Sequence, residues 1–190
     1  MREMPFAIPL SPEGFQKDEE MSHVQRRMSD LENHFSDHAA VKALLADSDP
    51  LVYEYWEREY DGTGQSISFG MTRIFPGCVG NEFHLTKGHF HADGLGDEIH
   101  FTLSGQGVVL LYEKDGSCLD MKMQPGKVNY FPGNYAHRTI NTGDGPLVFV
   151  GFWPPKIVHD YGTIHQKGFP KLVVSGPDGP MIVDNPKFAI

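Results

Sequence analysis

The chain is short of positive charge. Sixteen Lys and Arg stand against 25 Asp and Glu in 190 residues, a formal net charge of −9 with His neutral, and the pI is near 5.5. Phosphate contacts need clustered Lys and Arg, so this balance argues against a nucleic-acid partner. It argues equally against a protein that lies on an anionic membrane. Cysteine is scarce too. Cys78 and Cys118 lie far apart and read as two reduced thiols of a cytoplasmic protein, not as a disulfide framework. No stretch approaches the roughly 20 apolar residues of a spanning helix. The start, MREMPFAIPLSPEG, is broken by Pro and lacks the basic opening and unbroken apolar centre of a signal peptide. There is no fixed-period repeat and no low-complexity tract. A hydrophobic fraction of 39% and a charged fraction of 22% fit a folded chain and not a disordered one. The length predicts a single domain, with residues 1–50 as an N-terminal arm and 51–190 as its main body.

Helical signals are confined to the first third. Residues 1–22 read as extended and irregular. Over 23–47, Ser29 with Glu32 three positions on fits a capping box, and Ser36 opens DHAAVKALLAD with apolar residues at helical spacing. Ser48-Asp49-Pro50 ends that stretch. From residue 51 the pattern becomes short β-branched and aromatic runs divided by Gly, Pro, Asn and Asp. Strands are expected near 51–58, 66–75, 82–89, 97–103, 107–113, 118–123, 127–131, 137–141, 146–153, 171–175 and 180–184. Many short strands at such intervals mean a sandwich or a barrel.

Ten histidines is a high count. On a strand, alternate side chains share a face, so His89 and His91 point the same way. Glu98 follows after a six-residue gap, at the start of the next strand, and a hairpin returns it to the level of His91. His137 lies 39 residues further on, far enough for the chain to cross a barrel and come back. Three imidazoles and one carboxylate facing inward make a site for one divalent ion with open positions. Iron(II), manganese, nickel, zinc and cobalt all suit these donors.

The surrounding pattern resembles the two cupin motifs. Gly88, the HxH pair, Glu98 and Gly105 follow the first; Gly126, Pro132, His137 and Asn141 follow the second. Two positions depart from the usual motif. The His91–Glu98 gap is long, and Asn134 stands where a glycine is usual three residues before the histidine. Asn tolerates a left-handed backbone, so the turn is expected to survive. The resemblance implies an all-β cupin double-stranded β-helix, a jelly-roll barrel, with a short helical N-terminal extension.

The longer gap narrows the resemblance. FHLTKGHFHADGLGDEIHFTLSGQG, YAHRTINTGDGPLVFVGFWPP and VHDYGTIHQKGFPKLVV are similar to the cupin-type phosphoglucose isomerases of archaea and some bacteria. RRMSDLENHF, DPLVYEYW and the closing MIVDNPKF extend the match from about residue 25 to the end. The family implies a homodimer that interconverts glucose 6-phosphate and fructose 6-phosphate with a bound divalent metal. By position, His89, His91, Glu98 and His137 match its metal ligands. Thr72, Thr86 and Gly88 match residues that cradle the sugar phosphate, and Lys87 lies between the last two, with its side chain expected to point the other way. His159 matches an active-site histidine, Tyr161 belongs to the same segment, and Tyr53 falls in a pocket-lining strand. Two positions differ: His100 and Trp153 stand where better-known members have tyrosine. Both face the substrate in the family, so the metal site is preserved while the sugar contacts are altered.

Aldose–ketose isomerisation requires removal of a proton beside a carbonyl, and a metal that binds both sugar oxygens lowers that barrier. Glu98 is the family's usual proton carrier; His159 and His100 are alternatives. Two other classes share the ligand set. A cupin metal dioxygenase would need no phosphate cradle, and a sugar-phosphate-binding cupin without turnover would not need all four ligands. Of the other histidines, His23, His34 and His38 read as surface residues, and His84 and His165 as pocket neighbours. Tyr55, Trp56 and Tyr60 read as core or dimer surface.

Overall fold

Gly and Pro punctuation cuts the chain into strands that pair only antiparallel. A computed structural model describes residues 5–15, 21–60 and 66–188. Parts of the expected irregular start, 1–4 and 16–20, lie outside the described residues. The strands used below are β1 (Ser22–Arg27), β2 (Leu51–Arg58), β3 (Ser68–Ile74), β4 (Phe90–His91), β5 (Glu98–Ser104), β6 (Gly107–Tyr112), β7 (Cys118–Met123), β8 (Val128–Phe131), β9 (Ala136–Asn141), β10 (Leu147–Trp153), β11 (His159–Asp160), β12 (Lys171–Gly176) and β13 (Gly179–Asp184). Two helices are α1 (His38–Asp47) and α2 (Gly162–Lys167).

One six-stranded sheet runs β8-β5-β10-β3-β2-β1. Facing it, β7-β6-β9 form a second sheet, which residues 85–89 extend through the bridges Leu85–Ile140 and His89–His137. From β5 to β10 the chain passes repeatedly between the two sheets. This is the jelly-roll, or double-stranded β-helix, of a cupin. β6 is buried along its whole length, as its unbroken GVVLLY run requires. The core includes Val109, Ile74, Leu147 and Phe131. Burying a side chain as large as Phe131 contributes about 1.5–3 kcal/mol.

β5 inverts the ordinary pattern. Glu98, His100 and Thr102 are buried and point inward, while Ile99 and Phe101 face outward and stay exposed. A polar inner face marks the barrel's interior as a site.

The lead-in differs from its sequence pattern. Residues 22–27 are not helical; they form edge strand β1, paired along β2. Pairing to an existing sheet overrides the helix propensity of Gln25, Arg26 and Arg27. Two 3-10 turns follow at 28–30 and 32–34, and Ser29 donates its hydroxyl to Asp49 instead of capping a helix. α1 is capped by Asp37, whose carboxylate accepts from the Ala40 amide at 2.9 Å. The expected strand 82–89 is also broken, because Gly88 turns the chain with a φ of +71°. Asn134 needs no left-handed backbone: Lys156 is the one non-glycine residue with positive φ among those described. Among the described residues no helix is long and apolar enough to cross a membrane, and both cysteines are unpaired.

Candidate metal centre

Four strand segments converge at one end of the barrel. His89 and His91 enter at β4, Glu98 and His100 on β5, His137 on β9 and His159 on β11. The β4–β11 pairing sets His159 directly opposite His91, and the backbone amide of His137 donates to the His89 carbonyl at 3.2 Å. Ring centroids of His89 lie 4.0 Å from His159, 4.4 Å from His137 and 5.6 Å from His91. Glu98 sits at the centre. Its Oε1 is 3.0 Å from His91 Nε2; its Oε2 is 3.2 Å from His100 Nε2 and 3.6 Å from His137 Nε2. Donor atoms of His89, His91, Glu98 and His159 all lie within 4.8 Å of one another, as do those of Glu98, His100 and His137.

The long gap before Glu98 has a structural use. Its Leu95 carbonyl accepts from His91 Nδ1 at 2.9 Å, so Nε2 is the nitrogen left for the centre. Gly96 (φ +86°) keeps this loop close: a Cβ there would stand 2.7 Å from Ile157.

Electrostatics prepare the donors. Burial, then His137 and His159, holds His89 well below the ordinary histidine pKa, and burial lowers His137 to about 4. Both rings are therefore neutral near pH 7, as ligands must be. Burial would raise Glu98, yet the electrostatic pull of His137 and the hydrogen bonds from His100 and His91 prevail and hold it well below the usual range. Burial would lower His91, and Glu98 outweighs it in the upward direction. His89 Nε2, His100 Nδ1 and His137 Nδ1 are buried without a hydrogen-bond partner. An unpaired buried polar atom costs about 1–3 kcal/mol. A divalent ion would give His89 Nε2 its partner, so the residues present fit such an ion.

The cluster opens into a cavity of about 300 Å³. Every residue proposed from sequence for substrate or catalysis lines it: Tyr53, Thr72, Thr86, Lys87, Gly88, Glu98, His100, Trp153, His159 and Tyr161. His91 stands behind the wall, 1% exposed. Lys87, beside the turn at Gly88, is among the lining residues, and its charge also reaches His34 in the other direction. At that turn a Cβ on Gly88 would meet Phe169 at 2.8 Å and the His137 carbonyl at 2.9 Å. The Thr86 hydroxyl accepts from the Thr139 amide at 3.1 Å, which leaves its own hydrogen free to donate into the cavity. His159 Nδ1 lies 3.3 Å from the Tyr161 hydroxyl.

Sequence reasoning missed Glu57, Glu59, Thr139 and Gly151, all of which line the same cavity. Gly151 could have been found: a glycine inside a strand marks a close approach, and its Cβ would stand 3.3 Å from both His100 and Trp153. Three other histidines sit elsewhere than expected. His84 packs against Gly77 and bonds the Phe75 carbonyl. His34 and His165 line a different cavity.

The chain resembles known proteins over most of its length. A family model described as glucose-6-phosphate isomerase (GPI) matches residues 25–180. The glucose-6-phosphate isomerase of Thermococcus litoralis is 42% identical over 163 residues, 86% of this chain and 86% of that one. That of Pyrococcus furiosus is also 42% identical, with the same coverage of both chains. Among solved structures, an oxalate decarboxylase from Lactobacillus farciminis overlays 57% of this chain and 30% of its own at 21% identity, with a TM-score of 0.47. The matched span holds all four expected metal ligands and every residue proposed for the sugar, and the chain belongs to the glucose-6-phosphate isomerase family.

Proposed function

We propose that this protein interconverts glucose 6-phosphate and fructose 6-phosphate in a metal-dependent reaction. One observation carries the reading: a single cavity is lined both by an imidazole–carboxylate cluster and by a threonine–glycine turn. A sugar phosphate calls for both, with a carbonyl and hydroxyl to react and a dianion to anchor. His89, His91, Glu98 and His137 would hold the ion, with iron(II) the expected occupant. When bound, it supplies a Lewis acid that stabilises negative charge on the two sugar oxygens.

The chain's own residues do the rest. Thr72 and Thr86 hydroxyls, the Gly88 amide and the Lys87 ammonium anchor the phosphate. Glu98 carries the proton between C1 and C2. It is ionised, and its two oxygens face different partners, so one can serve the ion while the other faces the sugar. His100, 3.2 Å from Oε2, positions that second oxygen. His159 and Tyr161 hold the sugar hydroxyls, and Trp153 supplies an apolar wall. Two further readings belong to this proposal. The exposed row Ile99, Phe101, Val128, Tyr130 and Phe152 on the outer face of the large sheet suits a homodimer contact. The unpaired thiols suit the cytoplasm.

The test is a coupled assay of fructose 6-phosphate conversion before and after chelation, with single metals restored. Activity should fall on chelation and return with at least one divalent ion. No turnover with any of iron(II), manganese, nickel, zinc or cobalt would overturn the reading, and iron-dependent oxygen uptake in its place would favour a dioxygenase.

A further inference from the structure

A second cavity, of about 260 Å³, lies on the other side of β9. It is enclosed by the lead-in around His34, the end of α2 and the tail near Lys187. Among the described residues its titratable side chains are His34, His38, Arg138, His165, Lys167 and Lys187, and none of the lining residues described is Asp or Glu. That is unusual in a chain of net charge −9. At about 30 Å³ per liquid water, the space has room for a tetrahedral anion with its waters.

Arg138 is the key group. It is 3% exposed and forms no ion pair among the described residues. Nε and Nη2 donate to the Lys87 carbonyl at 3.2 and 2.7 Å, and the guanidinium packs over Phe169 at 4.5 Å. Nη1 makes no hydrogen bond among the described residues. One buried acid acts on it, Glu82, which makes no ion pair with it: Oε2 accepts from the Ser36 amide and hydroxyl, and Oε1 has no hydrogen-bond partner among the described residues. A buried cation is normally paired in contact, and Arg138 has only this acid at a distance, with no ion pair among the described residues. His34 reports the same field: burial, then Arg138, Lys87 and His165, lowers its pKa to about 3. Its Nδ1, 3.4 Å from Arg138 Nη2, is thus an unprotonated acceptor.

We propose that the rear cavity is a binding site for a phosphate-class anion, held by Arg138 with Lys167, Lys187 and the His165 ring. Guanidinium forks match phosphate oxygens in pairs, and Nη1 is the free arm. Because the same guanidinium holds the Lys87 carbonyl, occupancy reaches the turn at Gly88 that lines the front cavity. The proposal does not rest on the isomerase reading, since the site can be observed without turnover.

The experiment titrates inorganic phosphate into the full-length, metal-loaded protein at low ionic strength. The imidazole signals of His34 and His165 are followed by NMR. Both rings should shift saturably, and Arg138→Gln should weaken the response at least tenfold. Lys167→Glu, an exposed change that keeps the buried network, should weaken it as well and serves if Arg138→Gln does not fold. A parallel titration with glycerol 2-phosphate separates the sources. A response to the free ion alone assigns inorganic phosphate; an equal response to the ester assigns phosphomonoesters. Absence of a saturable shift, or one that Lys167→Glu leaves unchanged, would overturn the site.

Discussion

His137 and Arg138 are chain neighbours that serve two different cavities. Strand alternation sends His137 inward, among five other donors and beside a carboxylate. It sends Arg138 outward, into a space that no carboxylate of the described residues lines. The cluster in the front cavity offers lone pairs, from Glu98 and the imidazoles, and Glu57 and Glu59 line the same cavity. The rear offers donors and positive charge. A single strand therefore separates a cation-seeking site from an anion-seeking one across the thickness of a sheet. The two share one joint, the Lys87–Gly88 turn, which lines the front and is gripped from behind by Arg138.

The comparison breaks most visibly at Glu98. Glu98→Gln keeps the shape and removes the charge that the surrounding imidazoles share. If the front cavity does the chemistry, kcat should fall by about 10²–10⁴-fold, the usual worth of a proton carrier. Metal content, measured on the purified variant, should fall too. The phosphate response of the His34 and His165 rings should stay as in the parent protein. A loss of that response would mean that the two cavities are one electrostatic unit.

Gly88→Ala probes the joint. A side chain at φ +71° costs about 1–3 kcal/mol. The new Cβ would also press on Phe169 and the His137 carbonyl, adding roughly 1–3 kcal/mol of overpacking. The denaturant midpoint should drop accordingly, and KM for the phosphorylated sugar should rise with it. A variant as stable as the parent would show that the turn is not held from both sides.

Local rules suggested the histidine–glutamate cluster, while Thr72, Thr86, Gly88, Tyr53, Trp153 and Tyr161 around it came from the family pattern. HxH alternation, the hairpin return to Glu98 and the spacing to His137 each follow from strand period and residue chemistry. His159 needed the family pattern, since no local spacing ties it to His91 across 67 intervening residues. The rear cavity was invisible for a related reason. A lone Arg in a strand reads as a solvated edge, and what buries Arg138 arrives from three remote segments: residues 33–38, α2 with Phe169, and the tail at 185–187. The edge strand β1 was misread for the converse reason. SHVQRR has good helix formers and only weak alternation, and its pairing with β2 is a tertiary fact.

The gentlest probe of the comparison is pH. His34 ordinarily titrates near 6.5, and in the fold its pKa is about 3, through burial, Arg138, Lys87 and His165. Above pH 6.5 the ring is neutral whether the chain is folded or not, and its contribution to stability is whole. As pH falls through 6.5 the unfolded chain takes up the proton first, so stability declines, by up to about 1.4 kcal/mol per pH unit, until the folded ring also titrates near 3. His34→Gln keeps an acceptor for Arg138 and removes the titration. Urea midpoints measured from pH 6.5 to 5 should therefore fall less steeply in the variant, by the equivalent of about one proton. His89 and His137 have lowered pKa values as well, but metal loading should suppress their share of the slope and leave the His34 share untouched. An unchanged slope in the metal-loaded variant would mean that the rear cavity lacks the positive field on which its difference from the front depends.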